Sequence, residues 1–114
     1  MKTIIAGCRK ADNYQDVLDA VDTIDWEITQ VICGDAVGAD ALGCKWAESQ
    51  GIPVIHCPAN WDKHGKSAGI RRNVAMLNQA EALIAIWDAH SGGTGHMIQI
   101  ALDAGIRVYI QRID

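Results

Sequence analysis

The sequence predicts an α/β protein, a three-layer sandwich in which a parallel sheet lies between two layers of helices. Five short apolar runs are spaced along the chain, and the segments between them carry apolar residues at helical spacing. The runs are nearly continuous in hydrophobicity, which is typical of strands that are buried on both faces. Strands that alternate with helices are joined by right-handed crossovers, and such connections give a parallel sheet.

The predicted strands follow from the positions of the apolar runs, at residues 2–8, 28–33, 52–57, 82–87 and 106–111. Pro53 lies near the start of the third, where its missing N–H donor costs least. We expect a Rossmann-like strand order, 3-2-1-4-5. In this order the switch point falls between strands 1 and 4, so the loops after these strands line a ligand crevice.

The first two predicted helices have recognisable ends. Asp12 is a suitable N-cap for the first, with Gln15 at the capping-box position. The apolar positions of this helix are Tyr14, Val17, Leu18, Val21 and Ile24. The second helix is expected to begin near Ala39 or Asp40 and to stop at Gly51.

The last two predicted helices flank the fourth strand. The third helix is expected after a longer loop at 58–67. Its inward apolar face is expected to consist of Ile70, Val74 and Leu77. Thr94 is the expected N-cap of the fourth helix, which ends at Gly105. Its inward residues are expected to be Met97, Ile98, Ala101 and Leu102.

Size and charge restrict the classes of function. A chain of 114 residues forms one domain, residues 1–114, and can bury a core without metal or disulfide support. The net charge of -4 argues against duplex DNA as the main partner, because no extended basic face offsets the phosphate charge. A small nucleotide needs only a local group of donors.

The first residues contain too short an apolar stretch for a signal peptide, and no later run could span a membrane, so we expect a cytoplasmic protein.

The cysteines and histidines do not form a known metal-binding pattern. The four cysteines, with no Cys-x-x-Cys pair among them, are Cys8, Cys33, Cys44 and Cys57. In a cytoplasmic protein they are expected to be reduced thiols, mostly buried. A second group of possible metal ligands consists of His56, Cys57, His64 and His96. Its spacing matches no ligand pattern, so neither a metal nor a cofactor is expected.

Two glycine-rich segments follow predicted strands at one edge of the sheet. Their glycines are Gly34, Gly38, Gly92, Gly93 and Gly95. One such turn is commonly structural. Two glycine-rich turns at the carboxyl edge of the sheet predict an anion site, because the glycines let backbone N–H groups approach a ligand. The helix N-termini near Thr94 and Asp40 add partial positive charge to this site. Neither segment has the Walker pattern or a complete G-x-G-x-x-G.

Basic and aromatic residues near these loops extend the predicted site. The start of a helix carries Lys66, Arg71, Arg72 and Asn73. Cations are unfavourable there unless an anion is nearby, and Arg9 can join them. A solvated basic face is the alternative. Trp61 is a candidate to stack on a base or, alternatively, a lid packed on the core.

Three carboxylates are candidates to hold ribose hydroxyls: Asp35, Asp40 and Asp88. Asp40 is alternatively an N-cap. The complete set of predicted ligand-binding residues is Gly7, Arg9, Gly34, Asp35, Gly38, Asp40, Trp61, Lys66, Arg72, Asn73, Asp88, Ser91, Gly92, Gly93, Thr94 and Gly95.

Several motifs in order resemble those of a known family. They are GCR at 7–9, CGDAVGADAL at 33–42, PANW at 58–61, GKSAGIRRNVAM at 65–76 and IWDAHSGGTGHMI at 86–98. On these motifs the chain resembles the SLOG superfamily of Rossmann-like nucleotide-binding domains, and within it the small YspA-like (YpsA-related) group. The resemblance implies a nucleoside phosphate or an ADP-ribose-type ligand.

A more distant resemblance is to the cytokinin-activating phosphoribohydrolases, at Arg72 with Met76 and at Gly93-Thr94. It implies that the catalytic Glu of those enzymes falls on Met97, which can neither stabilise an oxocarbenium ion nor activate water. His96 and Asp88 remain as candidate catalytic residues. Val37 replaces an Arg of the family pattern, which removes one donor from the second loop.

The leading hypothesis is therefore the binding of a small nucleotide or nucleotide-derived ligand for sensing or sequestration, the latter as a phage-encoded sponge against nucleotide signalling. The alternative is a nucleotide hydrolase of the phosphoribohydrolase type. A DNA-binding role like that of the DprA proteins is a second alternative, which the acidic charge disfavours. Self-association is expected, because the helices carry more apolar residues than one small sheet can cover. Examples are Trp26 and Trp46.

Overall fold

A five-stranded parallel sheet forms the middle layer of the protein. Its strands are β1 (Lys2–Gly7), β2 (Gln30–Cys33), β3 (Val54–His56), β4 (Ala82–Trp87) and β5 (Arg107–Arg112). They lie in the order β3-β2-β1-β4-β5, so the predicted Rossmann-like topology is confirmed. The computed structural model describes residues 1–35 and 38–114.

The helices cover both faces of the sheet. They are α1 (Tyr14–Thr23), α2 (Ala39–Ser49), α3 (Trp61–His64), α4 (Ala68–Leu77) and α5 (Gly92–Ala104). A 3-10 turn at Gly65–Ser67 joins α3 to α4, so the segment predicted as a plain loop at 58–67 is largely helical. The side chain of Asn60 starts α3 by accepting the Lys63 N–H at 3.0 Å. None of the helices in the described residues is long and apolar enough to cross a bilayer.

Each face of the sheet has its own core, because successive side chains of a strand point in opposite directions. On one face Ile5 and Ile84 pack with apolar residues of α1 and α2. On the other face Ile4 and Leu83 pack with Met76 of α4 and with the buried residues of α5. The apolar members of the latter are Met97, Ile98 and Ala101, as predicted.

Helix starts and strand ends differ from the predictions by one to three residues. The N-cap of α1 is Asn13 and not Asp12, since its Oδ1 accepts the Gln15 N–H at 3.0 Å. Helix α5 follows Ser91, so Thr94 lies in the first turn, where it is buried and does not cap. Asp40 likewise lies inside α2 rather than at its N-cap, which is Gly38. Strand β3 is shorter than predicted and begins after Pro53, whose carbonyl oxygen accepts the Val31 N–H.

The predicted inward faces of α4 and α5 are partly wrong. Ile70 and Val74 are 54% and 41% exposed, and Leu102 is 55% exposed. The buried residues of α4 are instead Ala68, Asn73 and Met76. Polar contacts account for this orientation, since Arg72 bonds to the loop after β2 and Asn73 to the first turn of α5, which fixes the rotation of α4 about its axis.

Of the two tryptophans expected to favour self-association, Trp46 is buried and Trp26 is partly buried within one chain. Trp26 lies in the turn between α1 and β2 rather than on a helix, and its Nε1–H donates to Thr3 Oγ1 at 3.1 Å. Trp46 is on α2 but is buried in the core. This premise of the prediction is therefore wrong, and self-association itself stays a prediction.

The expectation of four reduced thiols is also wrong. Cys33 and Cys44 are joined in a disulfide, whereas Cys8 and Cys57 are free. Eleven positions separate the paired cysteines, and their Cα atoms are 6.3 Å apart because α2 packs back on β2. The absence of a Cys-x-x-Cys pair could not exclude this contact, which depends on how the helix packs.

Candidate ligand-binding site

A cleft of about 490 Å³ opens at the carboxyl edge of the sheet, at the switch point between β1 and β4. Ten of the residues that line it were predicted as ligand-binding: Gly7, Arg9, Asp40, Trp61, Arg72, Asn73, Ser91, Gly92, Gly93 and Thr94. Parallel strands end at the same edge, so residues that are far apart in the chain meet there.

Gly7 closes the inner wall of the cleft at the end of β1. Its N–H donates to Asp40 Oδ1 at 3.1 Å, which ties the strand to the first turn of α2. A Cβ at this position would collide with the Ala39 side chain and lie 2.6 Å from the Ile86 carbonyl oxygen. The missing side chain therefore lets α2 begin directly against β1.

Gly38, just before α2, also allows a close approach between two backbone segments. It has φ of +81°, and a Cβ there would collide with the carbonyl oxygen of Cys8. The turn before α2 thus lies against the loop that carries Arg9. Val37, which replaces an Arg of the family pattern, lies outside the described residues.

Arg72 joins α4 to the end of β2. Its Nη1 donates to the Gly34 carbonyl oxygen at 2.6 Å, and its Nε donates to Asn73 Oδ1 at 3.1 Å. These bonds, which use Nη1 and Nε, hold the guanidinium plane at the cleft wall. A planar fork held in this way is suited to a phosphate or carboxylate.

Asn73 positions the glycine turn that begins α5. It is 5% exposed, and its Nδ2 donates to the Gly93 carbonyl oxygen at 3.1 Å. The same amide nitrogen lies 3.2 Å from His96 Nδ1. Because the amide is buried and bonded on both sides, it fixes the distance between α4 and α5 at the cleft.

The N-terminus of α5 faces the cleft through Ser91, Gly92, Gly93 and Thr94. The Ser91 side chain does not cap the helix, because its hydroxyl donates to Asp88 Oδ2 at 2.9 Å. The first N–H groups of a helix have no partner within the helix, and the helix dipole gives this end a partial positive charge. This end of α5 is therefore suited to an anion.

Comparison with known proteins identifies the family of the chain. Residues 1–64 match the model of a family described as the YspA, cpYpsA-related SLOG family. The chain belongs to this SLOG family. It is also 38% identical to the Gene 61 protein of Mycobacterium phage D29 over 85 residues, which cover 68% of this chain and 67% of the phage protein. No solved structure matches the chain significantly.

Asp88 does not line the cleft of this SLOG protein, although it was predicted to hold ribose and was a candidate catalytic residue. Its Oδ1 accepts the N–H groups of Ser91 and His90 at 2.8 and 2.9 Å. These backbone hydrogen bonds, that of Ser91 first, lower the pKa of Asp88 from 3.8 to about 2. A carboxylate held in this way braces the turn before α5 and is a weak proton acceptor.

Five further predicted residues also lie outside the cleft lining. Gly34 contributes its carbonyl oxygen to Arg72, and Gly38 packs on the Cys8 carbonyl. Asp35 pairs with His56 in a separate recess. The remaining two are Lys66, in an adjoining recess of about 320 Å³ that also holds His96, and Gly95, which packs on the Trp87 ring.

The structure adds cleft residues that were not predicted as ligand-binding. Lys10 follows Arg9 in the loop after β1 and brings a second cation to the rim. Its position next to Arg9 in the sequence was a signal from which Lys10 could have been predicted as a cleft residue. Met76 and Met97, each 1% exposed, form an apolar floor, and only the packing of α4 and α5 shows that both point there. Met97, the residue on which the distant resemblance places the hydrolase Glu, is thus a buried thioether.

Proposed function

We propose that this SLOG-family protein binds a small nucleotide or nucleotide-derived ligand, of the ADP-ribose type among others, with a phosphate at the N-terminus of α5. The observation that carries the proposal is the convergence of that uncapped helix end with three cations, Arg9, Lys10 and Arg72, in one cleft. Cations and a helix N-terminus that share a wall attract the same negative group.

The remaining cleft residues suit the other parts of such a ligand. Trp61 is 59% exposed at the rim, so its ring is available to stack on a base. Asp40 offers a buried carboxylate at the wall formed by Gly7, within the region where a ribose would lie. A volume of about 490 Å³ is in the range of small-molecule sites.

Within this proposal, the protein holds its ligand rather than cleaves it. Met97 replaces the acid of the hydrolases, and neither Asp88 nor His96 lines the cleft. The similarity to a mycobacteriophage protein is compatible with sequestration of a nucleotide signal by a phage. Sensing through a separate effector is the other use of such a domain.

Isothermal titration calorimetry against AMP, ATP, ADP-ribose and NAD tests the proposal. We expect at least one of them to bind with a dissociation constant in the micromolar range or below. Arg72→Ala is expected to abolish that binding, whereas Arg71→Ala is the matched control because Arg71 is exposed and bonds to Ser67. Absence of binding by all four compounds at micromolar concentration would overturn the proposal.

Chromatography of the same mixtures after prolonged incubation separates binding from cleavage. We expect the ligand to be recovered intact. Free base that forms with the wild-type protein, and not with Arg72→Ala, would instead establish a nucleotide hydrolase.

A further inference from the structure

A second group of chemically reactive side chains lies beside the cleft and is not used by the proposed function. It consists of Cys33, Asp35, Cys44 and His56, and one ligand atom from each lies within 4.8 Å of all the others. These residues line a recess of about 300 Å³ that is separate from the nucleotide cleft. We refer to them as the Cys-His cluster.

Three elements of the fold bring the Cys-His cluster together. Cys33 and His56 are paired residues at the ends of the adjacent strands β2 and β3. Cys44 reaches the same point from the middle of α2, with its Cα 6.3 Å from that of Cys33. Asp35 follows β2, and its Oδ1 lies 2.7 Å from His56 Nδ1. Packing alone assembles the cluster, and for this reason its spacing matches no linear ligand motif.

The donor set corresponds to the chemistry of zinc. Two thiolates, an imidazole and a carboxylate are ligands that Zn²⁺ binds in a tetrahedron, with Zn–S bonds of about 2.3 Å and Zn–N bonds of about 2.0–2.1 Å. The edges of such a tetrahedron measure roughly 3.3–3.8 Å. The ligand atoms of the cluster all lie within 4.8 Å of one another, so side-chain rotations of reduced Cys33 and Cys44 and of Asp35 and His56 are sufficient to surround one ion.

A backbone donor also points at the sulfur of Cys33. The Asp35 N–H lies 3.4 Å from Cys33 Sγ and donates to it, and such hydrogen bonds stabilise a metal-bound sulfur. Asp35 adopts φ of +57°, which directs its N–H and its carboxylate to the same cluster. The His56 side chain is 54% exposed, so an ion can enter from solvent.

We propose that the Cys-His cluster binds one Zn²⁺ when Cys33 and Cys44 are reduced. Reduction of their disulfide takes two electrons and two protons from a dithiol reductant, which is itself oxidised to a disulfide. Zn²⁺ then displaces the two thiol protons and forms two Zn–S bonds, with His56 and Asp35 as the other ligands. The disulfide and the zinc site are therefore alternative states of the same two sulfurs.

The site would stabilise one wall of the nucleotide cleft. Gly34, between the proposed ligands Cys33 and Asp35, accepts the hydrogen bond from Arg72. Cys33 Sγ also lies 3.4 Å from the carbonyl oxygen of Asp40, whose side chain holds Gly7. A metal that fixes Cys33 and Asp35 thus restrains the backbone to which the cleft residues are bonded.

The experiment is a titration with zinc alone, which does not depend on any nucleotide. The full chain is reduced with a phosphine, kept under anaerobic conditions and titrated with Zn²⁺ by calorimetry. Co²⁺ is used in parallel, because tetrahedral cobalt thiolates absorb visible light. We expect one ion per reduced chain, the cobalt thiolate spectrum, and no binding by the oxidised chain.

Matched variants assign the ligands. Cys44→Ser and His56→Gln are expected to weaken zinc binding by more than about a hundredfold, since even the loss of a residue behind the ligands costs ten- to a hundredfold. Cys57→Ser and His64→Gln, which alter a free cysteine and a histidine outside the cluster, are expected to bind like the wild type.

The outcome that overturns the proposal is a reduced wild-type chain that takes up no zinc, or zinc binding that Cys44→Ser and His56→Gln leave unchanged. Because His56 is exposed, His56→Gln is expected to fold even if Cys44→Ser does not. Circular dichroism of each variant verifies the fold. Failure of this experiment would leave the nucleotide proposal unaffected, and the reverse also holds.

Discussion

The Arg72 guanidinium donates a hydrogen bond of 2.6 Å from Nη1 to the carbonyl oxygen of Gly34, which lies 38 positions earlier in the chain. This bond connects α4 to the end of β2 at the cleft wall. It holds a cation on a partly buried wall, where water screens its charge less than at the surface. The same side chain therefore supports the fold and is available to a ligand.

Arg72→Lys is expected to weaken nucleotide binding although the charge is kept. A lysine ammonium cannot reproduce the planar fork, and the loss of a charge-assisted hydrogen bond of about 1.5–3 kcal/mol lowers affinity about tenfold or more. Calorimetry with the best ligand of the panel measures this effect. Arg71→Lys is the control, and equal affinities for the two variants would contradict the role of Arg72.

Trp61→Ala is expected to lower the affinity for a nucleotide about tenfold, since stacking of a base on an aromatic ring contributes about 1–3 kcal/mol. Trp61→Phe keeps a ring and is expected to retain most of the affinity. Nucleotide addition should quench the fluorescence of the wild type, and this change should be absent in Trp61→Phe. Quenching that persists in that variant would show that another tryptophan reports the ligand.

Gly7→Ala is expected to destabilise the fold by about 1–3 kcal/mol, because the new methyl group overlaps Ala39 and the Ile86 backbone. Gly92→Ala is the matched control. Its Cβ meets no described atom within 4 Å, so stability should be unchanged or slightly higher. Thermal unfolding of both variants tests this, and equal melting temperatures would refute the close approach of α2 to β1.

Asp88→Asn is expected to lower the melting temperature of the protein at neutral pH. It is also expected to make the melting temperature less dependent on pH. The folded-state pKa of Asp88 is lowered from 3.8 to about 2, so the ionised carboxylate favours the folded state. That contribution is complete above pH 4 and is lost as the pH falls through about 2. The melting temperatures of wild type and variant should therefore converge between pH 4 and pH 2. A difference in melting temperature that stays constant between pH 4 and pH 2 would contradict a stabilising role for the ionised Asp88 carboxylate.

Local pattern was sufficient for the sheet and for much of the cleft. The apolar runs placed the strands, and the handedness of crossovers restricted the topology, so the order β3-β2-β1-β4-β5 could be predicted. The switch-point rule then brought Gly7, Arg72 and Gly93 to one edge. These features depend on residue type and on chain order, which a sequence contains.

Tertiary contacts decided the remaining features. The rotation of α4 depends on the bonds of Arg72 and Asn73 to distant carbonyl groups, and it leaves Ile70 exposed where helical periodicity alone placed it inside. Asp88 turned away from the cleft because the nearest N–H groups bind its carboxylate.

The sequence by itself thus determined the fold class, the strand order and the edge of the sheet at which the cleft lies. Only the tertiary structure decided that Cys33, Cys44 and His56 meet in one cluster. The physical reason is that strand pairing and helix docking set the distances between these side chains, and no local periodicity encodes such distances.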